Sequence, residues 1–307
     1  MKTAIVTGAS GFVGGAVLRE LLAHDYKVYA VVREGREATL PSNVNCIPVF
    51  CDLANISSLV EKIPTGEQAV FIHLAWAGVS PDQRIDTALQ LKNVQASTEC
   101  LQTAKKLGCF RFIGAGSIME QETLAATLAQ DCRLGMGYVY GAAKLTAHSM
   151  CKALAVQVGI DFIWCTLTNI YGVGDHSRRL INTSILKCLH GESPQFTAAT
   201  QYYDFVYIDD AAFAFRLIAE KGISFRNYLI GSGHARPLRE FLLEMQAAVA
   251  PQLEFIFGTV PFTGVNLDLS VFDTSLTMRD TGFKSKVGFS EGCSRVIRWW
   301  KAELGVK

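Results

Sequence analysis

Tyr140 and Lys144 stand four residues apart in YVYGAAKLTAHSMCKALA. The residues after Gly141 carry apolar side chains at Leu145, Met150 and Leu154, a helical spacing, so one helical turn puts the phenol and the ammonium on the same face. An unperturbed phenol titrates at about 10, too high for efficient acid–base work at neutral pH, but a nearby ammonium favours the phenolate and lowers that value. The pair is therefore a candidate proton-transfer device. Taken alone, Y-x-x-x-K is also what a core tyrosine and a surface lysine look like. A strand-like run over Phe110–Ala115 ends in GAGS, which places Ser117 at the carboxyl end of a strand, where its hydroxyl can hold a substrate oxygen while the tyrosine moves the proton. A turn or a helix N-cap is the other role open to that serine. No histidine and acid accompany it in a triad-like setting, which argues against hydrolysis.

A second constellation opens the chain. In VTGASGFVGG, residues 6 to 15, a short apolar strand breaks into glycines just before Phe12–Leu22, whose apolar residues recur at helical spacing. Glycine permits positive φ and close approach to the backbone, and a helix start presents unpaired N–H groups with partial positive charge. Gly8, Gly11 and Gly14 thus suit a phosphate-holding turn, though such glycines also make ordinary tight turns. The next apolar run, Lys27–Val32, ends at Arg33, where dinucleotide-binding folds place the residue that inspects the ribose.

These side chains need a frame. Strand-like runs recur at Lys2–Thr7, Lys27–Val32, Asn45–Phe50, Ala69–Leu74, Phe110–Ala115, Asp161–Thr166 and Asn227–Ile230, separated over most of the chain by helical segments. That alternation predicts an α/β fold, a Rossmann-type doubly wound parallel sheet, and successive apolar residues in several strands predict burial on both faces. After Asn169 the pattern loosens. Residues 1–166 and 204–231 are expected to form the dinucleotide-binding domain, and 167–203 with 232–307 a smaller mixed substrate subdomain over the carboxyl ends of the strands, where open α/β sheets bind ligands.

Composition bounds the partners. The 307 residues carry a formal net charge of +1 with acids and bases interspersed, so no field recruits nucleic acid or an anionic membrane, and a small-molecule substrate is expected. No apolar run reaches membrane-spanning length and the chain opens directly on strand residues, so a cytoplasmic location is the expectation. Of nine cysteines, Cys100, Cys151, Cys165 and Cys188 fall within predicted elements and read as buried small hydrophobes; none joins a zinc-type spacing, so no metal site is expected.

Together these segments resemble the extended branch of the short-chain dehydrogenase/reductase superfamily, the NAD-dependent epimerase/dehydratase family. The resemblance rests on TGASGFVG at 7–14, CDL at 51–53, HLAWAG at 73–78, Asn93 in LKNVQAS, Ser117, Tyr140 with Lys144, NIYGVG at 169–174 and DFVYIDDAA at 204–212, and it covers nearly the whole chain. It implies that Gly8, Ser10, Gly11, Phe12, Val13 and Gly14 hold the pyrophosphate turn, that Asp52 and Leu53 contact the adenine, and that Leu74, Ala75, Trp76 and Asn93 line the dinucleotide. It implies that Tyr140 is the acid/base, that Lys144 binds the nicotinamide ribose and lowers the phenol's pKa, and that Ser117 steadies the same oxygen. Met119, Asn169, Arg178, Arg179 and Tyr203 are the expected substrate contacts. Arg33, with Arg36 nearby, suits a ribose 2′-phosphate and favours NADP over NAD, while Glu34 keeps NAD open as a ribose ligand in a shifted register.

The chain also departs from the family. Dehydrating members follow the catalytic serine or threonine with Asp–Glu; here Ile118 and Met119 intervene before Glu120, which argues against a 4,6-dehydratase. Tyr203 stands where relatives that bind nucleoside diphosphate sugars carry an arginine, leaving Arg178, Arg179 or Arg236 as substitutes. The expected function is NAD(P)-dependent reduction of a sugar carbonyl, at C4 of a nucleotide-linked hexose. Alternatives are a 4-epimerase with tightly bound NAD, a reductase of a non-sugar ketone, and a non-catalytic dinucleotide-binding module. By resemblance, the helical stretches Leu89–Leu107 and Gly141–Val158 pair across a homodimer axis; by pattern alone, they pack equally well against the sheet of their own chain.

Overall fold

Apolar, β-branched runs separated by amphipathic helices can bury both faces of a sheet only by crossing over it repeatedly. The computed structural model describes residues 2–66, 69–130 and 132–306, so the outer limits expected at Met1 and Lys307 lie outside the described residues. The first half runs β1 (Lys2–Thr7), α1 (Phe12–Leu22), β2 (Tyr26–Val32), β3 (Cys46–Phe50), α2 (Leu59–Lys62), β4 (Ala69–His73), α3 (Pro81–Arg84), α4 (Thr87–Lys106), β5 (Arg111–Ala115), α5 (Met119–Leu128) and α6 (Val139–Val158). There follow β6 (Asp161–Leu167), β7 (Asn169–Tyr171), α7 (Leu180–Leu189), β8 (Gln195–Phe196), β9 (Tyr202–Tyr203), β10 (Phe205–Tyr207), α8 (Ile208–Lys221) and β11 (Asn227–Ile230). The tail holds β12 (Arg236–Pro237), α9 (Leu238–Val249), β13 (Ile256–Phe257), α10 (Ser275–Thr281) and α11 (Phe289–Leu304).

One seven-stranded sheet, ordered β11-β6-β5-β4-β1-β2-β3, pairs in parallel throughout. Its seven strands are the seven predicted runs, with ends shifted by one residue in several. The order reverses between β1 and β4, so the loops leaving these two strands part and open a crevice at their carboxyl ends. One apolar layer joins the sheet to α1, α8 and the tail, and a second joins it to α2, α4 and α6, with Trp164 and Phe112 wholly buried there. Helices α4 and α6 pack on one another within the chain.

The smaller part is built from two-stranded pairs, β7 with β10, β9 with β12 and β8 with β13, around Phe205, Phe241 and Phe289. β10 pairs in parallel with β7. Cys100, Cys151, Cys165 and Cys188 are buried thiols. Among the described residues no helix is long and apolar enough to cross a membrane.

Candidate active site

At the crevice, β1 gives way to Gly8 at φ +72°, a left-handed conformation that favours glycine. Gly11 N–H donates to Gly8 O at 2.9 Å, and α1 begins on Gly11 with no side-chain cap, leaving its first amides facing outward. A Cβ on Gly14 would lie 2.0 Å from Gly8 O, and one on Gly8 would lie 2.8 Å from Ala75 N. The turn, the helix and the chain leaving β4 therefore meet at backbone contact, a cradle that any side chain would fill. Ser10 is half-buried at this turn, and Phe12 and Val13 pack against the core behind it.

A buried chain of hydrogen bonds fixes the facing wall. Thr7 Oγ1 lies 2.8 Å from His73 Nδ1 and accepts from Ala75 N, while His73 Nε2 lies 3.1 Å from Ser97 Oγ, which donates to Asn93 O. Asn93, expected at the dinucleotide, clamps the 74–78 segment through both Ala77 N and Ala77 O. Burial, helped by Lys144, pushes the His73 imidazole down to about 3. Because the unfolded chain binds a proton at His73 that the folded chain refuses, the contribution is complete above about 6.5 and is lost as pH falls toward about 3. Unfolding free energy should drop by up to roughly 1.4 kcal/mol per pH unit in that window. Urea melts at pH 6.5, 5.5 and 4.5 should show a gentler acid slope in His73→Gln than in the parent chain.

Beyond the end of β2 a cavity of about 590 Å³ is lined by Arg33, Glu34, Asp52, Ser57, Ser58 and Lys62, among others. Asp52 caps the following turn by accepting from Ala54 N at 2.9 Å, and Leu53 packs partly into the core. Lys62, which sequence reasoning missed, donates to Phe50 O at 2.7 Å along the same wall. The glycine turn after β1, closed to any Cβ, and the polar cavity beyond β2, lined by Arg33, Glu34 and Lys62, fit a nicotinamide dinucleotide.

At the other end of the crevice Tyr140 and Lys144 rise from the first turns of α6, both buried. Lys144 Nζ donates to Ala115 O at 2.8 Å and lies 3.7 Å from the Trp76 ring centroid. Trp76, held by its Nε1–H to Gln90 Oε1, meets the Tyr140 ring edge-on at 6.0 Å. Burial pushes the Lys144 ammonium down to about 7, with Glu120 opposing that shift and Arg84 adding to it. Ser117 Oγ accepts from Met119 N at 3.2 Å just ahead of α5, whose N-cap is Ile118, and it faces the phenol.

The phenol departs from the sequence expectation. Burial raises its pKa, and the cations that pull it back down are Arg84 first and then Arg179, with the Ser117 hydroxyl helping. Lys144 Nζ is 5.9 Å from the Tyr140 ring centroid, whereas Arg84 Cζ is 4.5 Å from it. Sequence reasoning missed Arg84, because nothing in GVSPDQR marks it out; Pro81 at the first helical position says only that a turn of helix starts there.

Arg179 stands at the start of α7 and acts on Tyr140 through space; it and Arg178 beside it are both exposed. Tyr203 is pushed up to about 12 by burial and by Glu122, and Glu122 is itself raised to about 7 by burial. Met119 is half-buried at the start of α5, and Asn169 donates to Asp204 O at 3.1 Å. Arg236 does not join them: it pairs with Glu244 and lies 4.1 Å over Phe241, in a separate cavity of about 300 Å³. Glu120 is buried with both oxygens engaged, Oε1 accepting from Ser117 N and Trp164 Nε1 and Oε2 lying 3.1 Å from His148 Nδ1.

A profile of the NAD dependent epimerase/dehydratase family matches residues 4–231. Among curated proteins, the CDP-abequose synthase of Salmonella typhimurium is 25% identical over 305 residues, which span 96% of this chain and 97% of that one. Among solved structures, the Bordetella bronchiseptica enzyme WbmF in complex with NADH matches with a TM-score of 0.81 at 18% identity, over 99% of this chain and 93% of the other. The UDP-glucose 4-epimerase of Thermotoga maritima, with UDP-glucose, matches with a TM-score of 0.79 at 19% identity, over 98% of this chain and 99% of the other. At these identities the two structures share the fold.

Proposed function

The chain belongs to the NAD-dependent epimerase/dehydratase family, and from that premise we propose that it is an NADP-preferring reductase of a keto group, at C4 of a nucleotide-linked hexose. The observation that carries the cofactor preference, and with it the direction of the reaction, is that Arg33 lines the cavity beyond β2 together with Lys62. A guanidinium there offers paired donors to a ribose 2′-phosphate. Net reduction consumes its cofactor, and the CDP-abequose synthase likeness supports a nucleotide-activated sugar as substrate.

When bound, a nicotinamide dinucleotide supplies the hydride. The chain's own residues do the rest. The Gly8–Gly14 turn and the open amides of α1 take the diphosphate. Ser117 Oγ holds the substrate oxygen, and the Tyr140 hydroxyl gives it the proton as the carbonyl becomes an alcohol. Lys144, with donors to spare beyond Ala115 O, is placed to hold a ribose hydroxyl. Both oxygens of Glu120 are engaged, which supports a reading without elimination of water from the sugar.

Glu34 lines the same cavity as Arg33 and supports a second reading, a 4-epimerase that retains NAD. Denaturing freshly purified protein and identifying any released dinucleotide by mass separates the two. Uptake of NADPH in preference to NADH by an initially empty site supports the reductase; stoichiometric NAD+ supports the epimerase. Arg33→Ser should lower kcat/KM for NADPH by roughly tenfold or more, the worth of a charged hydrogen bond, while leaving NADH use nearly unchanged. Equal losses with both cofactors would remove Arg33 from 2′-phosphate recognition.

A further inference from the structure

The cation nearest the Tyr140 ring centre does not come from the helix that carries Tyr140. Arg84 reaches in from α3, in the segment between β4 and α4, and its guanidinium carbon lies 4.5 Å from the ring centroid. Lys144, on the tyrosine's own helix, is 5.9 Å away and turned to Ala115 O and the Trp76 face. We propose that Arg84 is a positioning residue for proton transfer at Tyr140: lying over the ring, it supplies the positive charge that stabilises the phenolate, a task the family resemblance assigns to Lys144.

The geometry carries this in three ways. First, a guanidinium over a neutral ring is held weakly by the ring's quadrupole, but over a phenolate it faces a full charge, so the contact strengthens as the proton leaves. Second, Arg84 is not accounted for by a structural ion pair. Its Nε is buried without a hydrogen-bond partner among the described residues, although a buried donor is normally satisfied. Third, the other charges around the phenol are otherwise occupied or more remote in effect. Facing Tyr140 are Arg84 from α3, Arg179 from the start of α7, Glu120 from α5 and Lys144 from α6, with the Ser117 hydroxyl alongside and Glu122 acting on Arg84. Glu120 is committed to Ser117 N, Trp164 and His148. Among these groups, Arg84 leads those that favour the ionised phenol.

The inference rests on Tyr140 as the proton donor, so its test reads the phenol directly. Site-specific 3-fluorotyrosine at position 140 lets fluorine NMR follow that one ring through its titration in the full chain, without substrate. Arg84→Met should raise the midpoint by about one pH unit or more, a tenfold loss of acidity. Arg84→Lys keeps the charge and should recover at least half of the shift, which a merely structural role of the side chain would not produce. In both variants the limb of the pH–rate profile governed by Tyr140 should move in the same direction as the midpoint. A midpoint unchanged in Arg84→Met, or moved equally by methionine and lysine, overturns the proposal. Full activity in Tyr140→Phe would instead overturn the reductase mechanism, while the fluorine titration would still report whether Arg84 governs the phenol.

Discussion

Tyr140→Phe is expected to lower kcat by about two to four orders of magnitude, the range a positioned general acid contributes, with dinucleotide affinity nearly unchanged. Only the phenolic oxygen and its proton are removed. The ring keeps its edge-on contact with Trp76 and its place under Arg84, so the buried pocket does not collapse and the variant should fold as the parent does. What is lost acts only as the substrate oxygen gains its proton, so kcat and kcat/KM should fall together while KM stays within a few-fold. Ser117, still bonded to Met119 N, remains to hold the oxygen. Steady-state kinetics beside fluorescence titration of the dinucleotide would check this. A Tyr140→Phe enzyme with parental kcat would mean that the proton comes from elsewhere, and Glu122, held near neutrality by burial, would become the first residue to examine.

The second large effect is steric. Gly14→Ala puts a methyl 2.0 Å from Gly8 O, against backbone on an adjacent turn that has no flexible side chain to yield. The glycine turn must open by an ångström or so, spoiling the approach of the diphosphate to the amides of α1. A loss of dinucleotide affinity of about a hundredfold, roughly 2.7 kcal/mol, is expected. Overpacking of this kind also costs about 1–3 kcal/mol of stability, so Tm should fall by several degrees. The neighbouring glycine is the control. A Cβ on Gly15 would meet Arg19 Nη1 at 3.5 Å and Ala9 O at 3.6 Å, ordinary contacts, so Gly15→Ala should leave binding intact and stabilise α1 by roughly 0.5–1 kcal/mol. Isothermal titration and thermal melts of the two alanine variants would settle the matter. If both bound the dinucleotide equally well, the turn would not be a diphosphate cradle.

Local pattern carried much of this protein. Burial on both faces writes itself into a strand as consecutive apolar residues, so all seven sheet strands were legible within a residue or two, and so was helix α1 after the glycines. The glycine turn and the Tyr140–Lys144 pair were legible for the same reason: a left-handed turn and a one-turn spacing are properties of a few consecutive residues. The small pairs β8 with β13 and β9 with β12 were not, because two-residue strands have no period to read.

What only the tertiary structure decided is the company each side chain keeps. The strand order brings Gly8, Ala75 and Ser117 together at the carboxyl ends of neighbouring strands, with Tyr140 on α6 beside Ser117, and no single segment contains that information. Arg236, a candidate diphosphate ligand by resemblance, is tied to Glu244, whereas Arg84, unremarked on the short helix α3, lies over the Tyr140 ring. Lys144 has the right spacing from Tyr140, but Ala115 O and Trp76 draw its ammonium aside. Charge acts through space and burial is shared among elements distant in the chain, so the sequence by itself determined which groups are present and on which elements, and packing determined which of them act on one another.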